Sequence, residues 1–184
     1  PATLPEREGW VDREKLHDIT GRSRKPQMAM AEKFGIDDYA QPAGGCCFLT
    51  DKSYSAKLVD LWKARDSRDY ELDDVMLLKV GRHIRPKAHF KLIVAREEGE
   101  GRFMQGYKRD YISMLCTSHS GPLVLLDGSL SAEDLYLAAS ITARYGQGRD
   151  AEQVDMAIME KDGSERTIQV KPLAVDKMPE EWLI

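Results

Sequence analysis

The strongest constraint on the fold is a row of short apolar runs, rich in β-branched residues, that begins near residue 72. The runs are bounded by glycine, proline, serine or charged residues, as is typical of strands. The last two runs flank Asp162-Gly163, a dipeptide that favours a tight hairpin turn. The predicted strands are Val75 to Val80, Phe90 to Ala95, Tyr111 to Cys116, Leu123 to Leu126, Val154 to Met159 and Thr167 to Val170.

One long helix is predicted among these strands, from Ser131 to Tyr145. Ser131 can cap its first turn, and Asp134 stands at the third helical position, as in a capping box. Apolar residues then recur at helical spacing until Gly146 ends the pattern. The predicted fold class is therefore α+β, with a small helical Cys-loop segment followed by an α+β domain that has a mainly antiparallel sheet and one long helix.

The first part of the chain shows helical patterns and no strands. We predict a short helix from Val11 to Ile19, a second from Gln27 to Phe34 that starts at Pro26, and a third that is capped by Ser53 or Ser55. The predicted organisation is a helical linker and Cys-loop segment over residues 1–72, an α+β domain over 73–175, and a tail over 176–184.

Composition places the chain among ordinary globular proteins. It has 184 residues, of which 42% are hydrophobic and 32% are charged, so it can bury a normal core. The apolar runs, Leu123 to Leu126 among them, are far too short to cross a bilayer. Three cysteines, an odd number, argue against a disulfide framework and for a reducing compartment, so a cytoplasmic location without membrane contact is expected. The start at Pro1 suggests the middle of a longer protein.

Positive charge is concentrated in residues 79–91, which we call the basic strip. The chain has a net charge of −4, yet this strip has no carboxylate. It contains two histidines, His83 and His89. Alternating strand positions could present its cations to phosphates, or they could guard a solvated strand edge. The five lysines and arginines of the strip are Lys79, Arg82, Arg85, Lys87 and Lys91.

Cys46 and Cys47 are adjacent and follow Gly44-Gly45 directly. Adjacent cysteines form a strained disulfide, and zinc sites separate their cysteines by at least two residues. The sequence therefore leaves two interpretations open. The pair is either a positioned thiol for sulfur, redox or persulfide chemistry, or a buried pair of small apolar side chains.

The remaining nucleophiles and histidines favour structural roles. Cys116 lies in a predicted strand and is expected to be a buried core thiol. Ser118 and His119 are adjacent, and since adjacent residues seldom face one another we predict a loop rather than a nucleophile and its base. His17 is expected at the surface. The spacing of the histidines and cysteines does not predict a metal site.

Three motifs in the first 60 residues resemble one group of proteins. The segments Leu4 to Arg13, Gly21 to Gln27 and Gln41 to Cys46 recur in this order in PP-loop ATP-dependent proteins related to tRNA 2-thiouridylases and 4-thiouridine synthases. In that group the stretch follows the ATP-pyrophosphatase domain. The resemblance implies that an upstream PP-loop domain binds ATP and Mg, and that residues 1–184 alone have no cofactor and are inactive.

The same resemblance implies roles for the cysteine pair. The segment from Gly44 to Phe48 is similar to the Gly-Ile-Cys-Phe motif of 2-thiouridylases, whose cysteine receives sulfur as a persulfide. Cys46 is the counterpart of that cysteine, and Cys47 could resolve the persulfide. Sulfur transfer needs a thiolate with a lowered pKa, and a sulfur-donor protein would be a partner.

The second part of the chain resembles the NFACT-type RNA-binding domain (NFACT-R). The resemblance rests on Leu78 to His83, Phe90 to Arg96, Gly121-Pro122 and the helix that ends at Arg144-Tyr145. Ala95 stands where the family has glycine, and Glu97 and Gly101 replace expected asparagines. The resemblance implies tRNA or another structured RNA as partner. The implied RNA-binding residues are Lys79, Arg82, His83, Arg85, Lys87, Lys91 and Arg96.

Two functions from different classes remain open on the sequence. In the first, residues 1–184 are the RNA-binding C-terminal portion of an ATP-dependent tRNA-thiolation-like enzyme, a sulfurtransferase in which Cys46 accepts sulfur. In the second, they are a non-catalytic module that docks RNA or the PP-loop domain, and the cysteines only pack. The reactivity of Cys46 separates these two functions.

Overall fold

The strand-rich part of the chain forms one six-stranded antiparallel sheet in the computed structural model, which describes residues 2–21, 23–38, 48 and 51–184. The spatial order is β1-β2-β4-β3-β5-β6, so β1 and β6 are the edges. The predicted α+β class is confirmed. The strands are β1 (Arg82–Lys87), β2 (Phe90–Val94), β3 (Ile112–Cys116), β4 (Val124–Gly128), β5 (Val154–Met159) and β6 (Glu165–Val170).

The described residues include six α-helices and several short 3₁₀ turns. Contacts divide the chain into two units, residues 1–44 and 45–184. The predicted division at residues 72 and 175 stays a prediction. The helices are α1 (Leu4–Arg7), α2 (Lys25–Lys33), α3 (Lys52–Arg65), α4 (Leu72–Leu77), α5 (Glu98–Met104) and α6 (Ala132–Arg144).

Helix α6 covers one face of the sheet, where it packs on β3, β5 and β6. Its N-terminus is built as predicted: the Ser131 hydroxyl accepts a hydrogen bond from the Asp134 amide, and the Asp134 carboxylate accepts one from the Ser131 amide. The core on this face is completely closed to solvent at its centre. Its fully buried members include Ile84, Phe90, Leu92, Val94, Val124, Ala138, Ala139, Ile141, Met156 and Ile158.

The opposite face of the sheet is covered only in part. Helices α4 and α5 place Leu77 and Met104 over Ile93 of β2 and Leu125 of β4. Helix α3 packs its buried residues against Leu78, just beyond α4. On this face Ser113 of β3 is buried but Leu115 of β3 is 40% exposed, and the residues of β5 and β6 are half-buried or exposed.

The predicted strand from Val75 to Val80 is wrong, because this segment begins inside α4. The carboxylate of Asp74 accepts the amide proton of Glu71, which closes a capping box at the helix start. Leu77 then faces the sheet and Leu78 faces α3, so two adjacent apolar residues are buried in different clusters. A short apolar run does not by itself distinguish these two structures.

The predicted connector between the first two strands is itself a strand, β1, at the sheet edge. Of its residues only His83 and Ile84 are buried. Pro86 has no N–H to donate and is tolerated because β1 is an edge strand. The C-terminus covers part of this edge: the Ile184 amide donates to the His83 carbonyl, and Leu183 forms a bridge with Ile84.

The helical predictions in the first part of the chain have a mixed outcome. Helix α2 is confirmed with Pro26 in its first turn. The predicted helix from Val11 to Ile19 is wrong, since this segment has only a 3₁₀ turn at Arg13–Lys15 and leaves Leu16 exposed. A short helix with no buried face is not stable. Helix α3 is capped by Asp51, which accepts the Tyr54 amide proton at 2.8 Å, and not by a serine.

Candidate nucleic-acid interface

Two cations of the basic strip bind a carboxylate from α3. Arg85 of β1 donates two hydrogen bonds to Asp60 at 2.5 and 2.8 Å. Lys91 of β2 lies between Asp60 and Asp127, with its Nζ 3.9 and 3.7 Å from their oxygens. Burial lowers the pKa of Lys91, and the two carboxylates only partly offset this effect. These cations therefore hold α3 on the sheet and are turned away from solvent.

Lys87 and His89, next to each other at the edge of the sheet, bind the cap of α6. Lys87 donates to Asp134 at 2.6 Å, and the His89 ring lies 3.0 Å from the other oxygen of the same carboxylate. The hydrogen bond from Lys87 is the main cause that lowers the pKa of Asp134, with further contributions from His89 and Ser131. The Lys87 side chain is still 45% exposed, so it keeps a solvent-facing side.

His83 is buried in the interior and is only 1% exposed. Its Nε2 lies 3.2 and 3.1 Å from the carbonyl oxygens of Leu77 and Val80, so Nε2 must carry the proton and donate. Burial, reinforced by Lys91 and Lys57, lowers the pKa of His83 to about 3. At neutral pH the ring is therefore uncharged, and it contributes to the packing of β1 against the end of α4.

Lys79 and Arg82 have no carboxylate within ion-pair distance in the described part of the chain. Each lies over an aromatic ring: Lys79 Nζ is 4.7 Å from the centre of Phe48, and the Arg82 guanidinium is 4.8 Å from the centre of Tyr145. Arg82 is exposed and Lys79 is half-buried. Of the strip, Arg82 is the cation most available to a ligand.

A groove of about 750 Å³ lies beside Arg82 and its partner Tyr145. Its walls are α5, the loop from β3 to β4, and the residues at and after the end of α6. Arg96 is the one predicted RNA-binding residue that lines it. The lining residues are Ala95, Arg96, Glu97, Glu98, Gly101, Arg102, Gln105, Leu115, Ser120, Gly121, Pro122, Leu123, Tyr145, Gly146, Gln147 and Arg149.

Two glycines allow the loop from β3 to β4 to approach the end of α6. A Cβ on Gly146 would lie 3.1 Å from the Ser120 carbonyl oxygen and 3.4 Å from the Gly121 Cα. The Gln147 amide donates to the same Ser120 carbonyl at 2.8 Å. This backbone contact joins the two walls and leaves the floor of the groove free of side chains at Gly121 and Gly146.

Two of the groove arginines, Arg102 and Arg149, form only exposed ion pairs in the described part of the chain. Arg102 pairs with Glu98 at 3.1 Å and Arg149 with Asp150 at 3.7 Å, and all four side chains are highly exposed. Exposed pairs of this kind contribute little energy, so a phosphate could displace the carboxylates. Arg102 and Arg149 therefore keep most of their hydrogen-bonding capacity for a ligand.

Arg96 is oriented by Glu100, which lies in the first turn of α5. The Arg96 amide and guanidinium both donate to the Glu100 carboxylate. Burial raises the pKa of Glu100, but the hydrogen bonds from Arg96 and from the Gly81 amide outweigh burial and lower it to about 2. The guanidinium is still 52% exposed toward the groove. The acidic stretch after Arg96 thus positions this cation as well as adding the exposed charges of Glu97 and Glu98.

Sequence reasoning missed Arg102, Gln147 and Arg149. Each lies in a helix turn or loop where no periodicity marks a single exposed side chain. Gly121-Pro122 and Tyr145 were indicated only by the resemblance to a family.

The predicted thiols Cys46 and Cys47 lie outside the described residues, so their role stays a prediction. Cys116 is 7% exposed, and its predicted burial is confirmed. Among the described residues, histidine, cysteine and carboxylate side chains do not assemble in threes as metal ligands would. None of the described helices combines the length and the apolar character needed to span a bilayer.

The expectation that Ser118 and His119 do not face each other is wrong. The Ser118 hydroxyl lies 3.0 Å from Nδ1 of His119. The hydroxyl also accepts the Asp155 amide proton at 3.0 Å, which fastens the loop after β3 to the start of β5. No carboxylate of the described residues forms an ion pair with His119. The two residues therefore fasten a loop, and the predicted loop assignment is confirmed.

A comparison with known families identifies the unit that contains this groove. The family described as NFACT protein RNA binding domain matches residues 81–183. No curated protein matches the chain. A solved structure, the C-terminal of the fibronectin/fibrinogen-binding protein from Streptococcus suis, is similar with a TM-score of 0.49 and 15% sequence identity. That match covers 57% of this chain and 49% of the other, so this chain spans about half the length of the solved one.

Proposed function

Because this chain belongs to the NFACT protein RNA binding domain family, we propose that the groove between α5 and the end of α6 is where its RNA-binding domain holds RNA. The observation that carries this proposal is the convergence of Arg96, Arg102 and Arg149 on one recess. Guanidinium groups bind phosphate through two parallel hydrogen bonds, which gives both affinity and orientation.

Tyr145 and Arg82 add a surface for bases. The ring of Tyr145 lines the groove and has the Arg82 guanidinium 4.8 Å from its centre. Aromatic and guanidinium planes beside a cationic groove are what single-stranded RNA uses for stacking. The glycine floor lets the RNA backbone approach the protein backbone closely.

The seven residues first predicted to contact RNA separate into three groups. Arg85, Lys91 and His83 are held in the interior, so we propose that they act by positioning β1 and β2. Lys87 is shared between Asp134 and solvent. Arg82 and Arg96 are the members of the set that we propose touch RNA directly, and Lys79 could extend the same surface.

We expect the double variant Arg102→Ala/Arg149→Ala to bind tRNA at least about tenfold more weakly than the unmodified protein. Two lost phosphate contacts should also reduce the slope of log K against log salt by about 1.4 for a single strand. Fluorescence anisotropy at several salt concentrations measures both effects. Since both arginines are exposed, the free energy of unfolding should change by less than about 0.5 kcal/mol.

The matched control is Lys171→Ala/Lys177→Ala, which removes the same charge from two exposed residues that do not line the groove. It should lower the affinity by about twofold or less. Equal losses in the two double variants would mean that net charge, and not the groove, determines binding, and would contradict the proposal.

We further propose that the RNA is tRNA and that residues 1–184 belong to a PP-loop ATP-dependent enzyme that thiolates it. The support is the ordered set of three motifs in the first 60 residues, which resembles such proteins. In this proposal the upstream domain would bind ATP and Mg and adenylate a base carbonyl. Cys46 would accept sulfur from a donor protein as a persulfide and pass the outer sulfur to the activated carbon, with AMP as the leaving group, while the Cys47 thiol takes up the broken S–S bond. The non-catalytic docking module is the second candidate, favoured by the role of several basic residues in holding the fold together.

Cys46 separates these candidates. If it accepts sulfur, we expect it to be alkylated faster than the buried Cys116, with a thiol pKa below about 8.5. In the longer protein, Cys46→Ser should abolish thiolation and retain ATP and RNA binding, because only the nucleophile is lost. Cys47→Ser should have the milder effect. Thiolated RNA from the Cys46→Ser protein would refute the sulfur-transfer role.

A further inference from the structure

A second recess of about 450 Å³ adjoins the groove, and the two share Gln105. Three of its lining residues are cations: Lys108, Arg109 and Lys161. None of the three has an ion-pair partner in the part of the chain that the structure describes. Among the described residues the one carboxylate that lines it is Glu160, which is bound by Arg166 at 3.1 Å. The recess therefore presents net positive charge to solvent.

The open face of the sheet connects this recess with the groove. Leu115 of β3 lines the groove, and Met159 of β5 lines the second recess. On the paired strands β3 and β5, Leu115 lies opposite Ala157 and Ser113 lies opposite Met159. Leu115 and Met159 therefore point to the same face and are offset by two residues along the strands. That offset is about 7 Å. No helix of the described residues covers Leu115, which is 40% exposed.

The path from the groove to the second recess thus has cations at both ends and apolar side chains between them. A peptide would satisfy the apolar middle, but three unpaired cations beyond it call for repeated negative charge. One strand of RNA supplies phosphates at regular spacing and bases that can lie on apolar and aromatic side chains. Charge complementarity and continuity with the groove therefore favour RNA as the occupant.

We propose that a single RNA strand bound in the groove runs on over Leu115 and Met159 into the second recess, where Lys108, Arg109 and Lys161 bind its phosphates. This rests on the proposed function of the groove. It assigns to the domain an extended single-stranded site in place of a single phosphate pocket. Affinity then depends on the length of the RNA.

The experiment compares single-stranded RNAs of about four and about twelve nucleotides, a short and a long length within the range of site sizes of small single-strand-binding folds. The variant is Lys108→Glu/Arg109→Glu/Lys161→Glu. The matched control is Lys63→Glu/Lys171→Glu/Lys177→Glu, which changes the net charge equally at exposed lysines that line neither recess. Circular dichroism and urea unfolding verify that both proteins are folded.

We expect the unmodified protein to bind the longer RNA at least about tenfold more tightly, with a salt slope steeper by about 2 for three added phosphate contacts. The recess variant should lose that gain and should bind the short RNA as the control does. The Arg102→Ala/Arg149→Ala protein should lose affinity for both lengths.

Three outcomes would overturn the inference. The unmodified protein could bind both RNA lengths with equal affinity, or the recess variant and its control could bind the longer RNA equally well. The third is that an acidic peptide binds in the recess and does not lower the affinity for the longer RNA. Failure of the proposed groove function looks different. In that case the Arg102→Ala/Arg149→Ala protein would bind the short RNA as well as the unmodified protein does.

Discussion

Replacing Gly128 with alanine is expected to lower the free energy of unfolding by more than about 3 kcal/mol, measured by urea unfolding. Gly128 ends β4 with φ at +122°, a conformation that side chains rarely adopt. A Cβ at this position would lie 2.1 Å from the His89 carbonyl oxygen and 2.8 Å from the Phe90 Cα. Both atoms belong to backbone that is fixed by pairing with β4, so neither can move away cheaply.

Substitutions at two other glycines distinguish the cost of the steric overlap at Gly128 from the cost of its positive φ. Gly163 also has a positive φ, +83°, but no atom of the described residues lies within 4 Å of its Cβ position, so Gly163→Ala should cost only about 1 kcal/mol. Gly106 has an ordinary φ and open space, and Gly106→Ala should be close to neutral. If the Gly128→Ala protein were as stable as the Gly106→Ala protein, the end of β4 could not lie as close to the His89 backbone as the structure has it.

Replacing Asp60 with alanine is expected to lower the free energy of unfolding by about 3 to 5 kcal/mol. The change leaves Arg85 and Lys91 facing each other at the buried side of α3, with side chains only 16% and 3% exposed. Removing one partner of a buried ion pair lowers the free energy of unfolding by more than the intact pair contributes to it, because the remaining charge is desolvated and unpaired. Asp127 can compensate only Lys91, which it contacts at 3.7 Å.

Urea unfolding of Asp60→Ala and of Glu98→Ala tests this prediction. Glu98 also pairs with an arginine, but at a fully solvated site, so its loss should cost less than about 0.5 kcal/mol. Similar effects of the two variants would mean that the Asp60 pair is solvated in solution. The same geometry predicts that Arg85→Glu unfolds the protein, so that this variant cannot be used to measure RNA binding. Arg82, which is exposed, can be changed without loss of the fold.

Local signals account for the elements that were predicted well. The long helix α6 has a capping box, an apolar face and a terminal glycine, all within 16 residues. The strands around Asp162-Gly163 are joined by a turn that these two residues favour. The strand at Phe90 is buried on both faces, and a continuous apolar run indicates such a strand.

The candidate site was predicted less well because charge alone does not say which groups will meet. The basic strip was a correct observation, yet Arg85 finds its carboxylate 25 residues earlier and Lys87 finds one 47 residues later. Segment composition does not indicate partners at such separations. Arg102 and Arg149 looked ordinary for the same reason, since nothing near them in sequence marks a groove.

Residue patterns alone were enough to predict the α+β class, the capped helix and most of the strands, and the resemblance to a family predicted the RNA-binding character of the domain. These features depend on side-chain periodicity, caps and turns, which act over a few residues. Which cations bind carboxylates and which remain available for phosphate depends on contacts that form only when the chain is folded. The reason is physical: ion pairing depends on distance and burial, and both are set when α3 and α6 pack on opposite faces of the sheet.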